Sequence, residues 1–584
     1  MQTEMFDVLI IGGGPHALTL ASLLSNPDHE SGQSPSCPDM LPLKPQQTPE
    51  TFNKIPCSTK KDRRPITGIC IFYFFLVHVS GPRQQDLCPP LVLRVVDSYG
   101  EWIALWESQF TALHIPHLRS HTLVHTDPHN QNALQEFVRK YNRSAELHSL
   151  SDQVYILDDN AFFNDMRLGK KERKRLNTST LKKNSSFSLP GTKLSVDFFK
   201  DQVNRYSLDK VIIKGTVENI IPVTEAEDQA VRETEENGVS TKVEHFQVQL
   251  QEGTILKARQ VILATGPTRA QMANIPTWVT NIGESYPEER LQHTVHLMHH
   301  LPTAQRILAE KACQKQKETS PAHVCNSGQR VMVVGGGLTS AHVISIALQQ
   351  GASHVTWVMR KHLQLKQFDM GDVESLVGRY AHLEHGIKMD GQAYLRQFYN
   401  ERSLHKRLAM VRQARKGGAV TPEAYTQLQP FILSGHVDIK TCSQVNEATW
   451  CYRTQLWKLS LSNGDHWIGD MIWLATGCKL DAIQDPLLSG VMKKFPIQVI
   501  DGWPCISESL QWAPGCPLYL MGQYTALRVG PHAVNLAGGQ AASVRIAQDI
   551  IRWHKQQNND ATALCIKRRK TEEYIQQMKG LLWL

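Results

Sequence analysis

The sequence lacks the features of several classes of protein. Its twelve cysteines contain no C-x-x-C pair, so nothing supports a zinc ribbon or a redox dithiol, and we expect reduced thiols in a cytoplasmic protein. No basic region or cleavage site precedes the first predicted strand, so we expect no signal peptide. The longest apolar run outside the glycine motifs, residues 69–79, is shorter than the roughly 20 residues of a membrane-spanning helix. The formal charge of +8 is modest and its basic residues are scattered, which favours neither a nucleic-acid nor a membrane partner.

What is present is a chain of 584 residues, long enough for two to four domains. Near its start, FDVLIIGGGPHA predicts a buried strand followed by a glycine turn and a helix beginning at Pro15. Gly12, Gly14 and Ala17 form the G-x-G-x-x-A pattern of a dinucleotide-binding turn. In that pattern the glycines allow a tight turn and a close approach of the pyrophosphate, which the helix N-terminus then holds. The sequence therefore predicts a dinucleotide site here.

The second strand of this unit lies far along the chain. Residues 91–96 predict a strand that ends in Asp97, the acid expected to bind a ribose hydroxyl; the alternative is an ordinary strand-end cap. Asp97 follows Gly14 by 83 residues. We therefore infer an insertion of roughly sixty residues, 27–90, with the composition of a loop or a disordered tract. Its apolar run at residues 69–79 is either a buried strand of the insertion or an artefact of the gene model.

Five histidines fall within sixteen positions: His114, His117, His121, His125 and His129. Pro116 and Pro128 break any helix that would align them, and no carboxylate or thiolate pattern completes a ligand set. We therefore expect no metal site, and we expect residues 102–129 to form a loop beside a cofactor.

The next segments predict a surface tract, a helix and a strand. Residues 165–189 are polar and basic, which is typical of a solvated loop or, alternatively, of a nuclear-localisation or partner-binding segment. Residues 194–206 predict an amphipathic helix. The strand that follows, which contains Val217, is of the kind that passes near an adenine.

Residues 246–266 and 457–477 align with one another without a gap. Each stretch predicts an alternating strand, a turn at Gly253 or Gly464, a second short strand and a buried third strand that ends in Ala-Thr-Gly. This pattern predicts a β-meander whose last strand enters a parallel sheet, repeated twice, and each copy follows its own glycine fingerprint.

The second fingerprint is G-x-G-x-x-S, formed by Gly335, Gly337 and Ser340. Its second strand ends in Arg360 and Lys361, where an NAD site would have an acid. Positive charge at this position complements a 2′-phosphate, so the sequence predicts NADPH; the alternative is a solvated pair of basic residues. Residues 362–437 predict a charged helical insertion.

Residues 517–551 predict a buried strand, a loop at Gly522 and a helix that starts near Gly530. Such a strand and helix return to the first domain and place a helix N-terminus at the carbonyl edge of a flavin, so the first site is predicted to bind FAD.

These features predict an α/β fold of two Rossmann-like dinucleotide-binding domains, an FAD domain interrupted by an NADPH domain, each with a β-meander. The expected boundaries are residues 1–26 and 91–300 for the first part of the FAD domain, 27–90 for the insertion, 327–477 for the NAD(P)H domain, 478–553 for the closing part of the FAD domain and 554–584 for a polar tail.

This architecture resembles the two-domain FAD/NAD(P)-binding flavoproteins, and more narrowly the N-hydroxylating (lysine/ornithine) flavin monooxygenases and their uncharacterised relatives. The motif DMIWLATG at residues 470–477 is similar to that group's D-x-x-x-L/F-A-T-G-Y. Cys478 stands where the tyrosine is usual, and Gln523 replaces the aspartate that often follows Gly522. The usual Baeyer-Villiger signature and the cysteine pair of disulfide reductases are absent.

The resemblance implies an oxidoreductase in which NADPH reduces FAD, and the reduced flavin activates molecular oxygen and hydroxylates a small-molecule amine or amino acid. The alternatives are an NAD(P)H oxidase or reductase of the same fold and a non-catalytic flavoprotein-like regulator. His117 and His125 are the candidate catalytic residues, as polar contacts to the flavin or to an oxygen intermediate; the alternative for each is a structural or surface histidine. The candidate cofactor-binding residues are Gly12, Gly14, Pro15, His16, Ala17, Asp97, Trp106, Val217, Thr265, Gly266, Gly335, Gly337, Thr339, Ser340, Arg360, Lys361, Thr476, Gly477, Gly522, Gln523 and Asn535.

Overall fold

A computed structural model describes residues 4–25, 90–150, 154–156, 188–224, 242–266, 273–300, 324–368, 379–382, 387–415 and 418–557. These residues belong to one compact unit. The predicted insertion, with its apolar run, lies outside the described residues, as do nearly all of the basic tract at residues 165–189 and the tail beyond residue 557.

The strands, in chain order, are β1 Met5–Ile11, β2 Leu93–Asp97, β3 Leu147–Ser149, β4 Val154–Ile156, β5 Ser188–Pro190, β6 Ile212–Lys214, β7 Val217–Thr224, β8 Val243–Leu250, β9 Ile255–Leu263, β10 Leu291–His293, β11 Arg330–Val334, β12 His354–Val358, β13 Arg379–His382, β14 Ile387–Asp390, β15 Val437–Lys440, β16 Val445–Cys451, β17 Leu456–Leu461, β18 His466–Gly469, β19 Met471–Leu474, β20 Val499–Ile500, β21 Trp503–Pro504, β22 Gln511–Ala513 and β23 Cys516–Leu520.

The α-helices are α1 Pro15–Leu24, α2 Ala104–Ala112, α3 Ala133–Lys140, α4 Thr192–Arg205, α5 Thr277–Thr280, α6 Thr294–His300, α7 Leu338–Gln349, α8 Gly391–Asn400, α9 Leu404–Ala414, α10 Pro422–Leu433, α11 Pro486–Lys494, α12 Ala526–Val529 and α13, residues 536–557. Among the described helices, none is long and apolar enough to cross a membrane.

The first sheet has the strand order β22-β23-β9-β1-β2-β6. Its central strand, β1, pairs in parallel with β2 and β9, and Val8, Leu9 and Ile10 are 0% exposed. A parallel strand covered on both faces requires such a continuous apolar run. The late strand β23 pairs in parallel with β9, so the end of the chain completes the first sheet, as the sequence predicts.

The first β-meander differs from its prediction in one respect. The predicted second and third strands are one strand, β9, whose start pairs antiparallel with β8 while the rest pairs in parallel with β1. In the second copy, Gly469 and Asp470 lie at the boundary between β18 and β19, which belong to different sheets. The aligned residues of the first copy, Ala258 and Arg259, lie within an uninterrupted strand. A glycine weakens a strand interior, which accounts for the break in one copy only.

The second sheet is entirely parallel, in the order β10-β19-β11-β12-β15. Beside it, β16, β17 and β18 form an antiparallel sheet whose core contains Trp450, Trp457 and Trp467. The chain therefore builds two Rossmann-like sheets. Each has a glycine turn directly after one of its strands, β1 or β11, and each receives the last strand of a meander, which confirms the predicted fold class.

Two further predictions need correction. The stretch predicted as a helical insertion contains α8, α9 and α10, but also β13 and β14. These two strands pair with each other, and β13 pairs with β4, in an antiparallel sheet. The closing helix α13 begins at residue 536 rather than near Gly530. Gly530 has a φ of +115°, a conformation that helical residues do not adopt, and a short 3₁₀ turn, Pro531–Val534, separates it from α13.

Candidate cofactor and active site

The first glycine turn has the geometry of a phosphate-binding turn. Gly12 has a φ of +102°, and a Cβ there would lie 2.7 Å from the carbonyl oxygen of Ala264. Gly14 is the N-cap of α1 and has open space around its Cα. Because Gly14 is the first acceptor of the helix, the N–H groups of His16 and Ala17 make no helical bond and can bind an anion.

Asp97 ends β2 beside this turn. Its Oδ2 accepts a hydrogen bond from the N–H of Gly13 at 2.9 Å, and its Oδ1 accepts one from the N–H of Tyr99 at 2.8 Å. Burial raises the pKa of Asp97, and these backbone donors oppose that increase. Each oxygen retains a second lone pair. Asp97 therefore caps the turn, and ribose binding stays a prediction that this geometry permits.

The N-terminal end of α13 lies against the first turn. His16 forms a hydrogen bond through Nε2 with the carbonyl oxygen of Asn535 at 2.9 Å, and a Cβ at Gly539 would lie 2.4 Å from the His16 ring. Nδ2 of Asn535 is buried and has no partner among the described residues. Two helix N-termini and an unsatisfied amide donor therefore meet at one edge of the sheet, an arrangement that fits the anionic and carbonyl groups of FAD.

The remaining first-site candidates divide into two groups. Thr265 and Gly266 follow β9, while Gly522 and Gln523 follow its neighbour β23, so all four lie at the carboxyl edge of the sheet, where α/β folds bind ligands. In contrast, Val217 is buried at the start of β7.

Trp106 packs within the protein. Its ring stacks on Phe110 at 3.9 Å and meets the edge of Phe199 at 5.4 Å. These contacts give Trp106 a packing role, so its predicted contact with the cofactor has no support from its position.

The second glycine turn repeats the first. Gly335 has a φ of +139°, and a Cβ there would lie 2.2 Å from the carbonyl oxygen of Ala475. Gly337 is the N-cap of α7, whose first turn contains Thr339. Ser340 is buried, and its Oγ has no partner among the described residues. The turn itself therefore has the shape that a dinucleotide requires.

The predicted neighbours of this turn lie at the ends of two strands. Arg360 and Lys361 follow β12 and are exposed, so a 2′-phosphate could reach them. Thr476 and Gly477 follow β19 and hold residue Asn274: Oγ1 of Thr476 donates to the Asn274 carbonyl at 2.5 Å, and the Gly477 carbonyl accepts from the Asn274 N–H at 2.9 Å.

A short segment, residues 418–421, which we call the strap, covers the second turn. A Cβ at Gly418 would lie 2.3 Å from the carbonyl carbon of Gly336 and 2.4 Å from the nitrogen of Gly337. Two backbone hydrogen bonds at 2.9 Å join Val420 to the chain at residues 364 and 366. The strap thus lies against an N–H that a pyrophosphate would use. The backbone of Gly418 therefore lies in contact with the second turn, and whether it competes with a dinucleotide is tested below.

A cavity of about 90 Å³ lies between the loop that follows α2 and the two helices α7 and α10. Its lining includes His117, Arg119, His342 and Glu423. Nδ1 of His117 lies 2.6 Å from Oε1 of Glu423. His117 therefore forms a hydrogen bond with a carboxylate of α10 that the sequence did not indicate.

His125 has a different environment. It is 2% exposed; its Nε2 bonds with the carbonyl oxygen of Gln131 at 3.0 Å, and its Nδ1 accepts from the N–H of Asp127 at 3.2 Å. Burial lowers the pKa of His125. Both ring nitrogens of His125 form hydrogen bonds with backbone groups, which indicates a structural role. The catalytic assignment of His125 stays a prediction without structural support.

Comparisons with known proteins agree with this architecture. The profile of the family described as pyridine nucleotide-disulphide oxidoreductase matches residues 144–420, just under half of the chain. No curated protein sequence matches the chain.

Solved structures of ornithine hydroxylases share its fold at low sequence identity. The ornithine N-hydroxylase of Kutzneria sp. 744, solved with reduced FAD, NADP⁺ and L-ornithine, is 14% identical with a TM-score of 0.50, covering 94% of this chain and 99% of that one. The reduced ornithine hydroxylase of Pseudomonas aeruginosa is 14% identical with a TM-score of 0.53, covering 94% and 100%. The chain therefore has the two-domain FAD/NAD(P)-binding fold of the flavin-dependent pyridine nucleotide oxidoreductases and resembles the ornithine N-hydroxylases in that fold.

Proposed function

We propose that this protein is an FAD-dependent, NADPH-using monooxygenase that hydroxylates an amine. The observation that carries the proposal is the meeting of the α1 and α13 N-termini, with the unsatisfied amide of Asn535, at the carboxyl edge of the first sheet. This arrangement supports FAD at the first turn. The second sheet, with its own glycine turn, supports a nicotinamide cofactor as the source of reducing equivalents.

In this proposal the chain's own groups bind FAD and orient it. The N–H groups of His16 and Ala17 hold the FAD pyrophosphate, Asp97 accepts from a ribose hydroxyl, and the N-terminus of α13 favours negative charge on the flavin ring. When bound, FAD supplies the site of electron uptake and oxygen activation. Exclusion of water from the region between the sheets would protect that chemistry.

The cysteines argue against a disulfide reductase. Such an enzyme passes electrons to a pair of neighbouring thiols, and the sequence has no C-x-x-C pair. Cys478, which follows the second Ala-Thr-Gly motif, is half-buried, and burial raises the pKa of its thiol. A protonated thiol is a poor nucleophile in thiol exchange. Transfer of electrons to oxygen is therefore the better supported outcome.

The test uses purified full-length protein loaded with FAD. We expect NADPH to bleach the flavin absorbance under anaerobic conditions and, in air, NADPH consumption to yield an equimolar hydroxylamine product from L-ornithine, L-lysine or a related amine. Hydrogen peroxide equal to the NADPH consumed, with no amine product, would instead identify an oxidase. A protein that binds no flavin would overturn every enzymatic assignment.

A variant links this activity to the first turn. Gly12→Ala places a Cβ 2.7 Å from the Ala264 carbonyl oxygen, so we expect loss of bound FAD and of activity together. Gly283→Ala is the matched control, because a Cβ there meets no atom within 4 Å. Retention of FAD by Gly12→Ala would show that the flavin binds elsewhere.

A further inference from the structure

Three side chains of metal-ligating type meet beside the cavity: His117, His148 and Glu423. One ligand atom from each residue lies within 4.8 Å of those of the other two. The rings of His117 and His148 have centroids 5.2 Å apart. The three residues come from the loop after α2, from β3 and from the first turn of α10, so folding alone brings them together.

The backbone holds the two histidines in place. The segment that includes β5 pairs with both of them, since His148 lies opposite Leu189 and His117 forms a bridge with Gly191. The N–H of Thr192 also donates to the carbonyl of Pro116 at 2.9 Å. Ligands fixed by neighbouring backbone bonds lose little conformational freedom when they bind an ion.

A third imidazole lines the cavity. His342, on α7, lines it together with His117 and Glu423 and is 6% exposed. Its Nε2 has no partner among the described residues. A buried nitrogen without a partner is costly, and a bound ion would satisfy it.

We propose that His117, His148 and Glu423 bind one divalent transition-metal ion of the Zn²⁺ class, beside the cavity that His342 also lines. Imidazole and carboxylate ligands suit Zn²⁺, whereas Ca²⁺ and Mg²⁺ prefer oxygen ligands alone. The site departs from the expectation of no metal, which considered only histidines close together in sequence. Of those five, His117 alone belongs to the cluster.

Metal binding needs only small movements. Bonds of about 2.0–2.2 Å in tetrahedral geometry place ligand atoms about 3.3–3.6 Å apart. The present separations run from 2.6 Å, between His117 and Glu423, to at most 4.8 Å. His117 and Glu423 must therefore separate slightly while His148 approaches them. The ion would then join the loop after α2 to α10, whose N-cap, Thr421, is the last residue of the strap.

The experiment measures metal binding directly on the full-length, FAD-loaded protein after treatment with a chelator. Titration with Zn²⁺ against a competing chromophoric chelator gives the affinity, elemental analysis gives the stoichiometry, and Co²⁺ substitution gives a visible spectrum. We expect one ion per chain and a Co²⁺ spectrum of nitrogen and oxygen ligands without thiolate charge-transfer bands. Fewer than one ion per chain at saturation, or thiolate bands, would overturn the proposal.

Variants identify the ligands. Glu423→Gln, which preserves the shape of the side chain, and His148→Ala should each weaken Zn²⁺ binding by more than about tenfold. His114→Ala is the control, because His114 is exposed in the same loop and lies outside the cluster. FAD content and melting temperature report folding. Equal Zn²⁺ affinity in all three folded variants would show that the ion binds adventitiously elsewhere.

Discussion

Replacing Gly418 tests whether the strap competes with the nicotinamide cofactor. A Cβ at this position would lie 2.3–2.4 Å from the backbone of Gly336 and Gly337, whereas ordinary contacts begin at 3.4 Å. The strap of Gly418→Ala must therefore move by about 1 Å or leave the turn. The backbone atoms of Gly336 and Gly337 cannot rotate away as a flexible side chain could. The substitution therefore disfavours the state in which the strap covers the second turn, which we call the covered state.

The magnitude follows from the cost of overpacking. Inserting one methyl group into a well-packed contact costs about 1–3 kcal/mol. If the covered state predominates, the apparent dissociation constant of the dinucleotide equals its intrinsic value divided by the open fraction. Destabilising the covered state alone by about 1–3 kcal/mol therefore lowers the apparent dissociation constant of the dinucleotide by about 5- to 150-fold.

The assay is isothermal titration of NADP⁺ into FAD-loaded protein, because NADP⁺ binds without reducing the flavin. Gly283→Ala serves as the control, since its new Cβ meets nothing within 4 Å, and its dissociation constant should equal that of the unchanged protein. An unchanged or weaker NADP⁺ affinity in a Gly418→Ala protein of normal melting temperature would refute the competition. It would mean that the strap contributes to the binding site instead.

Three further predictions address cofactor choice, FAD binding and pH. Arg360→Ala should raise the KM for NADPH by about tenfold or more, because a charged hydrogen bond to the 2′-phosphate is lost, and should leave the KM for NADH nearly unchanged; equal effects would remove the NADPH assignment. Asp97→Asn should weaken FAD binding by about 5- to 150-fold, since an amide group would then face the N–H of Gly13, and an unaltered flavin affinity would remove Asp97 from the site. Burial lowers the pKa of His532 to about 4 in the folded protein. Between pH 6.5 and about 4 this histidine is protonated in the unfolded chain but neutral in the folded one, so the free energy of unfolding should fall as the pH drops through this range. His532→Gln should reduce that slope in denaturant titrations, by up to about 3 kcal/mol in total, and an unchanged slope would contradict the buried neutral state.

The elements that sequence reasoning predicted correctly are those determined by a local pattern. An apolar run before a glycine turn can only be a buried strand entering a helix, and this pattern places β1, α1, β11 and α7. The position of Asp97 beside the turn is predicted in the same way, because parallel pairing of β2 with β1 brings the end of β2 next to the first glycine turn. The expected domain boundaries and the roles of the candidate site residues stay predictions, since position alone does not establish binding.

The errors arise where pairing partners decide the structure. The stretch around β13 has a helical composition on either side, and β13 pairs both with its neighbour β14 and with β4, which is far away in sequence. β9 is continuous because its two ends pair with different neighbours, and the aligned Gly469 that ends β18 in the second copy has no counterpart in β9. In both places a distant strand supplies the hydrogen bonds that local propensity does not predict.

The same limit explains why the sequence indicated neither the strap nor the histidine cluster. Gly418 belongs to a charged stretch that reads as a surface helix, and Glu423 reads as an ordinary acidic residue in the first turn of a helix. Their importance comes from the side of α10 that packs against α7, the helix of the second glycine turn. Because the strap ends at the N-cap of α10 and Glu423 lies two residues later, an ion that fixes Glu423 would also restrain the strap. Zn²⁺ should therefore weaken NADP⁺ binding in the unchanged protein and have less effect in Gly418→Ala. Equal effects of Zn²⁺ on NADP⁺ binding in both proteins would show that the metal site does not act through the strap.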